Sequence, residues 1–234
     1  MPYANRLVVL MVFFVAGFSC CADDALTLKR ERMLKNQIEA RGIKDPRTLE
    51  AMRKVPRHAF VPEAMATHAY EDSPLPIGHA QTISQPYIVA AMTELLRVEP
   101  EHVVLEVGTG SGYQAAVLAE CVKHVYSIEI IPELARDAAE RLKTLGYKNV
   151  TVKEGDGYAG WAEHAPFDGI IVTAGAPHVP QPLVDQLKTG ARMVIPVGPV
   201  DAVQQLNVIE KQADGSITQT PVMAVRFVPL TGDR

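Results

Sequence analysis

The sequence predicts an α/β protein with a doubly wound, mostly parallel sheet, an N-terminal helical segment and mixed C-terminal strands. Two observations predict this class. Short apolar runs alternate with amphipathic helical patterns through the middle of the chain, as in parallel strands joined by crossover helices. One of these runs, VVLEV at 103–107, leads directly into glycines. Ligands of such sheets bind where the strands end, so the glycines mark the expected site.

The helical segment comes first. Leu34 and Ile38 are one helical turn apart, and Gly42 is suited to end their helix. Asp45 and Pro46 then supply a cap and a first-turn proline for a second helix. We therefore expect two consecutive helices before the sheet.

The remaining elements follow from the same periodicities. The runs that predict parallel strands are 103–107, 124–130, 150–155 and 169–174. The patterns that predict helices are 85–96, a segment starting near Gly112, Pro132 to Gly146, and about 180–188. Three later runs have little helix between them and indicate antiparallel or mixed pairing; they are 191–198, 204–211 and 221–230.

Composition limits the classes of function. The chain has 234 residues, of which 47% are hydrophobic and 21% charged, which is typical of one globular domain with a sizeable core. The net charge is −4 and the longest basic run is KRER at 29–32, so we expect no nucleic-acid partner. Three cysteines cannot form a disulfide framework, and no zinc-ligand spacing is present, so we expect no metal. A monomer is the default expectation.

The most informative motif is VVLEVGTGSGY at 103–113. Gly108, Gly110 and Gly112 let the backbone turn sharply and approach a ligand closely. The helix that follows offers unpaired N–H groups to that ligand. A dinucleotide fingerprint would need a glycine where Tyr113 stands, which disfavours a dehydrogenase.

Three acidic residues accompany successive strand ends. Glu106 precedes the glycines, and Glu129 lies 21 residues after Gly108, where a carboxylate can accept both hydrogens of a ribose diol. Asp156, with Gly157, follows the third strand and is placed to accept from an adenine amino group. Any one of these acids alone would be interpreted as a solvated loop residue. Together they fit S-adenosyl-L-methionine better than NAD.

Several motifs together resemble the protein-L-isoaspartate O-methyltransferase family. They are RKVPRHAFVP (53–62), DSPLPIGHAQTISQP (72–86), VLEVGTGSGYQAA (104–116), EGDGY (154–158), FDGIIVTAGAP (167–177) and VRFVPLTG (225–232). Many methyltransferases share the glycine loop, whereas PLPIG–TISQP is specific. The resemblance covers about residue 28 to the end. It implies a Rossmann-like methyltransferase sheet and S-adenosyl-L-methionine as the cofactor.

The resemblance also implies a reaction, methyl transfer to the carboxylate of L-isoaspartyl residues in damaged proteins, which initiates their repair. A carboxylate with a pKa of about 4 is already ionised, so no general base is needed. Attack on a sulfonium cancels both charges, which a dry site favours. The main demand is alignment, and the prolines of 74–86 supply a stiff segment for it.

Ser84 matches the family's catalytic serine, and the resemblance implies that it binds the acceptor carboxylate. The same residue also suits the N-cap of helix 85–96. Thr82, His79 and Thr231 are further candidates close to substrate or cofactor. Two other functions stay open: a methyltransferase of small molecules or nucleic acid, which would lack PLPIG–TISQP, and a non-catalytic exported relative.

We assign residues 1–25 to an extension and 26–234 to the methyltransferase domain. The apolar run 7–18 is short for a membrane span and suits the core of a signal peptide, so residues 1–22 would direct export to the periplasm. A start at Met33 would instead give a cytoplasmic protein. Because S-adenosylmethionine is made inside cells, we favour the cytoplasm. A membrane is a partner only if the apolar run is retained.

Overall fold

The computed structural model describes residues 16–199 and 202–232, with side chains from residue 25 onward. Most of the apolar run 7–18 therefore lies outside the described residues. Helix α1 (Ala16–Met33) passes through the expected boundary between the extension and the domain. Within the described ranges, no helix combines the length and apolar character of a membrane span.

The described helices and strands alternate along the chain, as the sequence predicts. After α1, the helices are α2 (Pro46–Lys54), α3 (Pro86–Leu96), α4 (Tyr113–Ala119), α5 (Pro132–Thr144) and α6 (Gln181–Asp185). The strands are β1 (Leu75–Gly78), β2 (Gln81–Ile83), β3 (Val103–Val107), β4 (His124–Glu129), β5 (Val150–Glu154), β6 (Phe167–Val172), β7 (Leu187–Val197), β8 (Gln204–Lys211) and β9 (Ile217–Val225).

Seven of these strands form the central sheet in the order β5-β4-β3-β6-β7-β8-β9. Neighbours from β5 to β7 are parallel, while β8 and β9 pair antiparallel, which confirms the predicted fold class. The chain runs outward from β3 to β5 and then returns to place β6 on the other side of β3. The sheet's order therefore reverses between β3 and β6, the point where such sheets bind ligands.

The N-terminal helices form largely as expected. Helix α1 continues through a π turn (Leu34–Ile38) and a 3-10 turn (Glu39–Arg41), and Gly42 ends it with φ of 96°. The Asp45 carboxylate accepts a hydrogen bond from the Thr48 amide at 2.9 Å, which confirms the predicted cap of α2.

The proline-rich segment 74–86 contains a β-hairpin that its residues do not predict. Strands β1 and β2 pair antiparallel around a turn in which His79 and Ala80 have φ of 51° and 56°. Two successive positive φ values are typical of the hairpin turn that asparagine and glycine usually form, so the sequence signal is absent. Helix α3 then begins at Pro86, with Gln85 at its N-cap and no side-chain capping bond. The capping interpretation of Ser84 is therefore wrong.

The last predicted strand, 221–230, ends at Val225. Residues 226–231, which we call the crossing segment, leave the sheet and pass over its carboxyl edge. The Phe227 amide donates to the Gln204 side chain at 2.8 Å, and the Gly175 amide donates to the Val228 carbonyl at 2.8 Å. These bonds replace strand pairing and carry the end of the chain to the predicted site.

Candidate active site

A cavity opens at the carboxyl ends of β3, β4 and β6. Its walls are the hairpin, the glycine loop, the ends of the strands and the crossing segment. The predicted site residues that line it are Thr82, Ser84, Gly108, Gly110, Glu129, Gly157 and Thr231. The fold thus brings together residues that lie up to 149 positions apart in the sequence, counted from Thr82 to Thr231.

The start of the glycine loop is fixed from two sides. The amides of Gly108 and Thr109 donate to the Ile128 carbonyl at 2.8 and 3.2 Å. The Thr173 hydroxyl, from the end of β6, donates to the Gly108 carbonyl at 2.6 Å. A Cβ at Gly108 would lie only 2.5 Å from that hydroxyl oxygen, so this close approach requires glycine.

The hairpin packs directly on the glycine loop. Gly110 has φ of 53°, and a Cβ there would lie 3.3 Å from Cδ1 of Ile77. The hairpin and the loop therefore share one wall of the cavity.

Glu129 is held with its carboxylate at the cavity. One oxygen accepts from the Gly110 amide at 2.8 Å, and the other accepts from the Ile131 amide at 3.0 Å. Each carboxylate oxygen can accept more than one hydrogen bond. Glu129 is therefore a fixed acceptor at the end of β4, as the binding of a ribose diol requires.

Glu106 has a different environment from the one predicted. Its side chain is fully buried beneath the glycine loop and does not line the cavity. It accepts a hydrogen bond from Ser127, whose hydroxyl lies 2.6 Å from that of Thr109. Burial raises the pKa of Glu106 to about 8, although the bond from Ser127 opposes the shift. Glu106 therefore supports the loop from below.

Three other predicted residues also lie outside the cavity wall. Gly112 precedes α4 with φ of 86°, and a Cβ there would meet Leu142 at 3.2 Å, so its role is helix packing. Asp156 accepts from the Tyr158 amide at 2.8 Å, beside the cavity-lining glycine that follows it. His79 is exposed in the hairpin turn.

A second concave surface, which we call the side groove, adjoins the cavity. It is lined by Pro74, Gln85, Ile88, Val203, residues 224–227 and the four residues that it shares with the cavity, namely Thr82, Ser84, Thr173 and Val228. Ser84 therefore lies where the two spaces meet. An acceptor entering along the groove would reach the cavity at this hydroxyl.

The residues that flank Ser84 are anchored to the helical segment. The side-chain amide of Gln85 donates to the Asp72 carboxylate at 2.7 Å, and Arg41 donates to the same carboxylate at 3.1 Å. The Arg41 guanidinium also lies 3.4 Å from the centroid of the Tyr87 ring. These contacts fix the start of α3, which has no side-chain capping hydrogen bond.

Thr173 is the clearest residue that the sequence did not reveal. It lines both the cavity and the side groove and also holds Gly108. A threonine after an apolar strand is common, so its residue type carries no signal. Its position after that apolar strand, within the motif FDGIIVTAGAP (167–177), is the available indication.

The sheet order, the glycine loop at the reversal point and the carboxylate at the end of the next strand define the Rossmann-like methyltransferase class. Comparison with known families gives the particular family. The family model described as protein-L-isoaspartate(D-aspartate) O-methyltransferase matches residues 28–234. The chain belongs to this family.

Curated relatives agree over nearly the whole chain. The chain is 57% identical over 236 residues to protein-L-isoaspartate O-methyltransferase 2 of Syntrophobacter fumaroxidans, covering 97% of this chain and 96% of the relative. It is 52% identical over 246 residues to protein-L-isoaspartate O-methyltransferase 1 of Cupriavidus necator, covering 99% and 95%.

Solved structures share the fold. A protein-L-isoaspartate O-methyltransferase superposes with a TM-score of 0.78 at 29% identity, covering 87% of this chain and 66% of that chain. A putative protein-L-isoaspartate O-methyltransferase from Plasmodium falciparum, in complex with S-adenosyl-L-homocysteine, gives 0.72 at 27% identity, covering 86% and 98%.

Proposed function

We propose that this protein transfers a methyl group from S-adenosyl-L-methionine to the carboxylate of L-isoaspartyl residues in damaged proteins, which initiates their repair. One observation carries the proposal: the side groove meets the cavity at Ser84, so a donor in one space and an acceptor in the other face each other there. Membership of the family and the names of the relatives support the same activity.

The cavity residues fit S-adenosyl-L-methionine. The Glu129 carboxylate is fixed at the cavity by two backbone amides and accepts from the ribose hydroxyls. The backbone of Gly108 and Gly110 forms a wall without side chains, and Gly157 also lines the cavity, at a position where a Cβ would clash with Val107. The cofactor supplies the methyl group on a sulfonium. That the relative from Plasmodium falciparum is complexed with S-adenosyl-L-homocysteine agrees with this assignment.

The acceptor side needs orientation more than acid–base chemistry. The isoaspartyl carboxylate is ionised at neutral pH and is itself the nucleophile. Ser84 donates a hydrogen bond that fixes this carboxylate, while Thr82 supplies a second hydroxyl at the same junction. Thr231 lines the cavity from the crossing segment and helps to enclose the cofactor. Charge is cancelled as the methyl group moves, so exclusion of water favours the transfer.

A pair of peptides tests the activity. The protein is incubated with S-adenosylmethionine carrying a labelled methyl group and with peptides that differ only in an L-isoaspartyl or a normal aspartyl linkage. We expect a base-labile methyl ester on the isoaspartyl peptide alone. Equal labelling of both peptides, or labelling of neither, would contradict the proposal. Transfer to RNA or a small molecule instead would support the other methyltransferase classes.

We further propose that the protein works as a monomer in the cytoplasm. The cofactor is made and used inside cells, and a charged molecule of this size does not cross a bilayer unaided. Cell fractionation with N-terminal sequencing tests the location, and sedimentation equilibrium tests the monomer. A periplasmic protein beginning near Asp23 would contradict the cytoplasmic location.

A further inference from the structure

The side groove contains one unusual side chain. Among the described residues that line the groove, Arg226 is the only charged one. It is exposed, and its guanidinium makes no hydrogen bond or ion pair with any part of the chain that the structure describes. By contrast, Arg41 and Arg192 are paired with Asp72 and Glu210. A guanidinium without a partner in the described part of the chain, in a groove beside the active site, is available to a carboxylate of a bound peptide.

The backbone around Arg226 is fixed, so its position is defined. Val225, just before it, is buried at the end of β9. Phe227, just after it, packs against the core and donates its amide to Gln204. The guanidinium therefore projects from an anchored point at the groove, and no rearrangement of the backbone is needed to use it.

The two concave surfaces separate the position of the reaction from the position of Arg226. The acceptor carboxylate must reach the cofactor where cavity and groove meet, at Thr82, Ser84, Thr173 and Val228. Arg226 lines the groove but not the cavity. A peptide that lies along the groove with its acceptor carboxylate at that junction would bring residues flanking the isoaspartyl group to Arg226.

We infer that Arg226 makes the enzyme prefer isoaspartyl substrates that carry an acidic residue close to the damaged position. The inference rests on the proposed function. The net charge of −4 opposes acidic proteins at long range, whereas Arg226 attracts a carboxylate locally. Because the guanidinium is exposed, the expected preference is about twofold to fivefold in kcat/KM.

Charge reversal on both partners tests the inference. Isoaspartyl peptides of one sequence carry Glu, Gln or Lys two residues before or two residues after the isoaspartyl group. For at least one of the two positions, the wild-type protein should favour Glu over Gln and Gln over Lys. In Arg226→Gln the preference should be lost, and in Arg226→Glu it should reverse. Added salt should weaken the wild-type preference.

A matched control separates a local effect from the overall charge. Arg136→Gln removes the same charge from an exposed position on α5, outside the groove, and should keep the wild-type order of peptides. An unchanged order in Arg226→Gln would overturn the inference. So would an equal loss on all peptides, because Arg226 would then act on the acceptor carboxylate itself. If the wild-type protein methylates none of these peptides, the proposed function fails instead.

Discussion

Two glutamates near the glycine loop differ in role because their surroundings differ. Glu129 ends β4 and turns its carboxylate to the cavity, where two backbone amides fix it. Glu106 lies one residue before the end of β3, buried under the loop. Residue type is the same in both cases, so the environment alone places the Glu129 carboxylate at the cavity and buries that of Glu106.

Replacing Glu129 tests the cofactor assignment. Glu129→Ala removes the expected acceptor of the ribose hydroxyls and should weaken binding of S-adenosylmethionine by about 1–3 kcal/mol, as losses of charged hydrogen bonds do. Isothermal titration calorimetry measures the change, with Glu140→Ala on the exposed face of α5 as the control. An unchanged dissociation constant would refute this role of Glu129.

Replacing Ser84 tests the acceptor assignment. Ser84→Ala should lower kcat/KM on an isoaspartyl peptide about tenfold to a hundredfold, because a hydrogen bond to a charged group is lost. Affinity for the cofactor should stay close to that of the wild-type protein. Ser216→Ala, in the turn between β8 and β9, is the control. If cofactor affinity fell in proportion to the rate, Ser84 would be a cofactor or folding residue.

Among the secondary-structure elements, the hairpin distinguishes this domain, because it adds a family-specific segment to a sheet and glycine loop of the kind that many methyltransferases share. Its Ile77 packs on the glycine loop, and its end carries Thr82 and Ser84 to the junction of cavity and groove. The Asp72 carboxylate then ties Gln85 to Arg41. The hairpin is thus held at both ends, which suits a reaction whose main requirement is alignment.

Removing the Asp72 carboxylate, which links Gln85 to Arg41, should disturb the alignment of Ser84 more than the stability of the fold. Asp72→Ala breaks partly exposed bonds, which contribute little to the free energy of unfolding. It frees the residue next to Ser84, so we expect a loss of about tenfold in kcat on an isoaspartyl peptide with nearly unchanged cofactor affinity. Steady-state kinetics and calorimetry measure both. Glu71→Ala, one residue away, is the control; an equal loss there would argue against a specific tie.

At the scale of the whole molecule, the two parts of the sheet have different tasks. The parallel strands β3 to β6 bring the glycine loop, Glu129 and Thr173 to one edge. The antiparallel strands β8 and β9 return the chain so that the crossing segment closes that edge. The active site therefore depends on both ends of the domain being folded.

The stability of the whole domain should depend on the pH through Glu106. Burial raises the pKa of Glu106 to about 8, whereas a glutamate in the unfolded chain has a pKa of about 4. Between these values the folded state binds the extra proton. The contribution of Glu106 to the free energy of unfolding is therefore fully present below about pH 4 and is lost as the pH rises to about 8.

Glu106→Gln cannot ionise and should remove this dependence. Between pH 5 and 8, its free energy of unfolding should fall less steeply than that of the wild-type protein, by up to about 1 kcal/mol per pH unit. Urea unfolding without cofactor at several pH values measures the slopes. If the free energy of unfolding changed with pH at the same slope in the variant and the wild-type protein, Glu106 would not be the group that binds the extra proton in the folded state.

Local patterns in the sequence determined much of this protein. The runs at 103–107 and 204–211 match β3 and β8, because the apolar pattern of a strand and the end signals of a helix are set by residues close in sequence. The glycine loop, Glu129 and Ser84 are predicted in the same way, from a strand end or a specific motif, and both Glu129 and Ser84 line the cavity. These features need no knowledge of what packs against them.

Which residues share a site depends on the tertiary structure. The hairpin turn at His79 carries no typical turn residue, and the direction of the Glu106 side chain depends on which face of β3 is covered. Thr173 and Arg226 became candidates only when β6 and the crossing segment lay beside Ser84. The physical reason is that burial, pKa and availability to a ligand depend on neighbours distant in the sequence, which folding alone brings together.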